Sequence, residues 1–118
     1  MKLEIRSFGD SGNYTDERIG FLARQDCNLK FYAVYHTSKT EIGFYNRPKH
    51  VFWFYPKDVK AGDEVVLYTK KGMDSSMQKD GHTVHFIYWG LDESILGEKD
   101  CIVLSEINDW NVSSPVNK

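Results

Sequence analysis

Most of what marks a specialised chain is scarce here. There are only two cysteines in 118 residues, Cys27 and Cys101, and three prolines. Neither cysteine belongs to a C-x-x-C pair or sits beside a histidine, so no redox dithiol or local zinc-ligand motif is written. In a reducing compartment two thiols this far apart are expected to stay free. Three prolines and nine glycines leave no low-complexity linker. No apolar run approaches the ~18 residues that would cross a bilayer as a helix. Residues 1–6 alternate charged and apolar side chains, whereas a secretory leader needs an unbroken apolar segment. A cytoplasmic protein without membrane attachment is the expectation, although a processed fragment would look the same. Neither sign of charge dominates: the net charge of −2 gives no general attraction to polyanions. The phosphate-cradling patterns G-x-G-x-x-G and G-x-x-x-x-G-K are missing, and so is the G-x-S-x-G elbow. No catalytic residue and no cofactor is therefore assigned.

What the chain does have is apolar and aromatic content, 41% and 14%, too much for a disordered segment. Its length allows roughly two-thirds of the unfolded surface to be buried, which suffices for one self-supporting domain. We read residues 1–118 as a single domain with its core in 2–112 and a flexible tail at 113–118. The block 50–69 is the clearest: two runs of aromatic and β-branched residues flank a turn carrying Pro56 and Gly62. Strand signals also cover 2–7, 17–24, 29–37, 41–45, 82–89 and 100–107. In 17–24, Ile19, Phe21 and Ala23 fall on one face at period two. In 29–37, Leu29, Phe31, Ala33 and Tyr35 alternate with Lys30, Tyr32, Val34 and His36. Residues 70–81 are polar and are expected to form the longest loop. No window carries a helical stripe. About eight short strands spaced by turns predict an all-β, immunoglobulin-like antiparallel β-sandwich.

The order of these features resembles that of the lamin-tail domain. The elements that carry the likeness are a Glu-led strand at 17–24, the polar turn 25–28 and the strand 29–35. The aromatic segment 52–56 ending at Pro56 follows, then Val59-Lys60-Ala61-Gly62-Asp63 and the strand 64–69. The Trp-Gly element within 86–90 and the late strand within 97–104 complete it. The segment 29–32 departs from the Ser-Gly-Trp turn usual in that family, and Asn108-Asp109-Trp110 lacks its Asp-Gly turn. The resemblance implies a binding or scaffolding module without catalytic residues.

Candidate sites remain modest. His82 and His85 come nearest to a metal pair, but residues three apart on a strand project to opposite faces. We read these histidines, with His36 and His50, as ordinary side chains, and assign no metal. Asp92 and Glu93 are read as solvated turn residues. Charge is uneven: residues 47–71 hold six basic and three acidic groups, a local +3, and 92–109 hold six acidic groups and one lysine, a local −5. Such opposition permits head-to-tail self-association. In 50–55, His50, Phe52 and Phe54 share one face and Val51, Trp53 and Tyr55 the other. The candidate interaction surface is Trp53, Tyr55 and Trp89 with Lys57 and Arg47, since aromatics and arginine dominate interface energetics. At least one of Trp53 and Trp89 is expected in the core. A protein partner or a second copy is the first reading. The alternative is carbohydrate or single-stranded nucleic acid stacked on an aromatic and basic face.

Overall fold

The computed structural model describes residues 1–116, and the end of the expected 113–118 tail, residues 117–118, lies outside them. The architecture is all-β. Among the described residues eleven strands occur in chain order: β1 (Leu3–Gly9), β2 (Arg18–Ala23), β3 (Cys27–Asn28), β4 (Tyr32–Thr40), β5 (Gly43–Phe44), β6 (His50–Trp53), β7 (Asp58–Val59), β8 (Glu64–Tyr68), β9 (Ser75–Lys79), β10 (His82–Tyr88) and β11 (Asp100–Glu106). A single 3-10 turn, Leu29–Phe31, separates β3 from β4 and is capped by the Asn28 side chain, which accepts from the Lys30 amide. Three of the eleven strands are two residues long, so eight carry the sheets.

One sheet runs β1-β2-β8-β10-β9, a second is β11-β4 with β5 and β6 both paired to β4, and β3 and β7 form a separate two-stranded ribbon. The pairing is antiparallel except between β8 and β10, which are parallel. That pair departs from the uniformly antiparallel sandwich predicted from sequence. The expected loop 70–81 explains it: the chain forms β9 at the sheet edge, and β10 inserts between β9 and β8. Asp80 and Gly81 both take positive φ (50° and 84°), the backbone of a two-residue hairpin turn with the matching twist.

Period-two burial is clean in β2, where Ile19, Phe21 and Ala23 point inward as expected. They meet Val65 and Leu67 of β8 and Ile87 of β10, and the facing sheet contributes Tyr32, Val34 and Phe54. Phe21 and Phe54 meet edge to face across the sandwich, with ring centroids 6.0 Å apart. The 3-10 turn resets the alternation, so the core face of β4 is Tyr32, Val34 and His36 rather than the phase of Leu29 and Phe31. Among the described residues beyond β11 there is no regular structure, yet Trp110 packs on Phe31 and Trp53.

One end of the sandwich is closed by Glu17, whose carboxylate is wholly buried. It accepts from the amides of Gly12 (2.8 Å), Ile95 (2.9 Å) and Leu96 (3.1 Å) and from the Thr69 hydroxyl (2.7 Å). Burial pushes its pKa up, but those donors outweigh burial and hold it below the ordinary carboxylate value. A single carboxylate thereby pins together the connections before β2, after β8 and after β10.

Candidate functional site

Strand β6 is bounded by Pro48 and Pro56 and pairs only with β4. Lys39 faces Phe44 while His36 faces His50, so three steps along β4 answer six on the returning chain. The three surplus residues bulge between β5 and β6, where Asn46, Arg47 and Pro48 sit. The Phe54 amide bonds the Tyr32 carbonyl, which fixes the phase of the ladder. Phe52 therefore also bonds toward β4, whereas the backbone N–H and C=O groups of Val51 and Trp53 point away from it. Among the described residues those groups have no partner, and β6 presents an open sheet edge.

The side chains of β6 divide as its alternation requires. Phe52 packs inward against Phe54 and Trp89, at centroid distances of 5.1 and 5.8 Å. Val51, Trp53 and Tyr55 are exposed. The structure thus separates the two candidate tryptophans. Trp89 is half-buried and packs against the core, continuing the inward phase of Ile87. Trp53 is 47% exposed, with its indole N–H donating to the Lys30 carbonyl at 2.7 Å and its ring edge-on to Trp110. Arg47 and Lys57 are exposed at the two ends of β6.

Around Trp53 the outer face of the β11-β4-β6 sheet is apolar. Tyr35 lies between Val51 and Val103, and beyond it a pocket of about 220 Å³ is lined by Tyr35, Thr37, Phe44, Tyr45, Pro48 and Val103. That is below the ~300–1,000 Å³ of sites that enclose whole small molecules, and it suits one inserted side chain. Residues 42–57 contain no acidic group, and among the described residues Arg47, Lys49 and Lys57 form no ion pair.

On the inner side of the same strand lies a polar chain that sequence reasoning missed. His36 Nε2 lies 2.7 Å from Asp100, and His36 Nδ1 lies 2.9 Å from His50 Nδ1. The imidazole planes differ by 17° and their centroids are 5.2 Å apart. That spacing is what two rings joined collinearly through a 2.9 Å contact give, so they meet edge to edge. No metal fits between nitrogens that face each other so closely, and they share a single hydrogen. A carboxylate only accepts, so His36 Nε2 donates to Asp100, and one of the two facing Nδ1 atoms carries the hydrogen that joins the imidazoles. Burial raises the pKa of Asp100, but the bonds from His36 and the Gly97 amide and the nearby Lys49 charge outweigh it, leaving a net lowering. The chain clamps β11, β4 and β6 together just past the bulge. Among the described residues no hydroxyl or thiol hydrogen-bonds either imidazole. The spacing of His36, His50 and Asp100 gives no local signal, since β4 brings together residues from three separate strands.

The other histidines pair with neighbouring carboxylates. His82 meets Glu64 at 2.7 Å, and buried His85 meets Asp63 at 3.1 Å. Asp63 also accepts from the amides of Lys60 and Thr83, and these bonds overcome burial to hold its pKa down. His85 Nδ1 is buried without a partner. Among the described residues no three metal-ligating side chains converge. Cys27 and Cys101 are free and half-buried, and burial pushes the Cys27 thiol up. No helix among the described residues is long and apolar enough to cross a membrane.

Comparison with known protein families, with curated proteins and with solved structures finds no match for this chain.

Proposed function

We propose that this chain is a non-enzymatic binding module, a lamin-tail-like β-sandwich that takes an extended protein segment on the outer face and open edge of β6. The observation that carries the reading is the coincidence of three features on one strand. Val51 and Trp53 offer free backbone groups, their side chains continue into an apolar face with a side-chain-sized pocket, and unpaired cations flank the strand. Strand addition uses main-chain hydrogen bonds for affinity and alternate side-chain pockets for specificity. The fitting partner is extended, apolar at alternate positions and acidic at its ends. Pro48, Pro56 and the cations keep the open edge short, which limits promiscuous pairing.

The test is NMR titration with a peptide of alternating glutamate and valine. The amides of Val51 and Trp53 should shift, and Trp53→Ala should weaken binding about tenfold or more while the protein stays folded. Shifts confined to other strands would overturn the reading. Salt-sensitive binding of oligothymidylate, or salt-independent binding of a neutral glycan, at Trp53 with no response to the peptide would replace it with the stacking alternative.

A further inference from the structure

We propose that the segment β6 receives is β11 of a second copy, so that the protein associates head to tail into open chains. This rests on the reading of β6 as a docking edge and names its occupant.

Strand β11 is the other free edge of the same sheet. The Ile107 amide bonds the Phe31 carbonyl and the Lys39 amide bonds the Lys99 carbonyl, which sets the phase of β11 against β4. Cys101, Val103 and Ser105 consequently bond inward to β4. The backbone groups of Ile102, Leu104 and Glu106 face outward, and among the described residues they have no partner. The two edges of one sheet are therefore both open, in complementary phases.

Both β6 and β11 run antiparallel to β4, so a copy added in the same orientation sets β6 parallel to the next β11. Placing Trp53 opposite Val103 lets Val51 and Trp53 bond the outward groups of residues 100–104. The outer faces then run on continuously, with Val51 and Trp53 beside Cys101 and Val103. In that register Lys49 falls one residue from Glu98, and Lys57 one residue from Glu106. Both glutamates are exposed and, among the described residues, form no ion pair. Lys99, the one cation on the facing edge, falls opposite Lys49, and its neighbours Glu98 and Asp100 outweigh it.

Charge also chooses against the symmetric alternatives. Two β6 edges joined by a two-fold axis would set Arg47 and Lys49 against Lys57. Two β11 edges would set Glu98 against Glu106. Like charges oppose both closed dimers, and the heterologous contact that remains does not close on itself. It leaves a free β6 at one end of the chain and a free β11 at the other.

The experiment is light scattering of the full chain from micromolar to millimolar concentration at low and high salt. The weight-average mass should climb past that of a dimer at low salt and fall back toward 13.7 kDa at about 1 M salt, where screening is nearly complete. Val51→Pro removes an outward N–H that β4 does not use, and Glu106→Lys disables the other edge. Each should be monomeric with native spectra, and their mixture should form a heterodimer and stop there. If Val51→Pro fails to fold, Lys57→Glu should abolish association and Lys57→Glu with Glu106→Lys should restore it. A wild-type mass of 13.7 kDa at every concentration, or a dimer that none of these changes alters, would overturn the proposal. A monomer whose β6 amides still shift with the glutamate–valine peptide would sink self-association alone and leave the docking edge standing.

Discussion

Glu17 shows how much one side chain decides here. A buried carboxylate is tolerated only when its lone pairs are filled, and four donors fill them. Replacing it with glutamine keeps the size but aims an NH2 group at N–H donors that then lose their acceptor. Glu17→Gln should cost about 3 kcal/mol of stability, read as a lower urea midpoint with an unchanged slope. A loss below about 1 kcal/mol would show that the loops around Ile95 and Leu96 hold themselves. The leading glutamate of 17–24 was visible in the sequence. Its burial was not, since Gly12, Thr69, Ile95 and Leu96 are brought to it by three different connections. The two tryptophans teach the same lesson in reverse: identical residue types, split between core and surface by the phase of the strands that carry them.

At the level of elements, alternation was legible wherever a strand has one buried face. Strand β2 read correctly because Ile19, Phe21 and Ala23 announce their side of the pleat, while the two apolar faces of β6 left open which of them turns inward. Strand β9 was not legible, because all five of its residues are exposed and no apolar period marks them. The available signal was Asp80-Gly81, a pair suited to a tight hairpin, within a stretch whose polarity suggested only a loop. Gly81→Ala puts a Cβ on a residue at φ 84° and should cost about 1 kcal/mol locally. Hydrogen exchange of the β9 amides bonded to β10 should then quicken roughly fivefold, with Val65 and Leu67 unaffected. Equal acceleration in β8 would mean that the hairpin and the core open as one unit.

The whole molecule is closed by three carboxylates. Glu17, Asp63 and Asp100 each have a pKa below the ordinary value, where bonds from amides, a hydroxyl or histidines outweigh the upward push of burial. A group whose folded pKa is depressed contributes stability above its unfolded pKa and loses it as pH falls through the folded one. Urea midpoints should hold steady through the neutral range and drop below about pH 4, with uptake of more than one proton on unfolding. Glu17→Gln should make that drop shallower. Stability that rises on acidification through this window would contradict the assignment.

The sequence by itself determined the all-β class, the shared face of Ile19, Phe21 and Ala23 in β2, the division of β6 into two faces, and the uneven placement of charge. Those properties follow from residue spacing within single strands, where a period of two is geometry rather than context. Tertiary structure decided the parallel β8–β10 pair, the alignment of His50, His36 and Asp100, and which tryptophan meets solvent. It also set the basic and acidic runs on opposite edges of one sheet. Each depends on which strands become neighbours and in what register, and that choice is made by packing between residues distant in the chain.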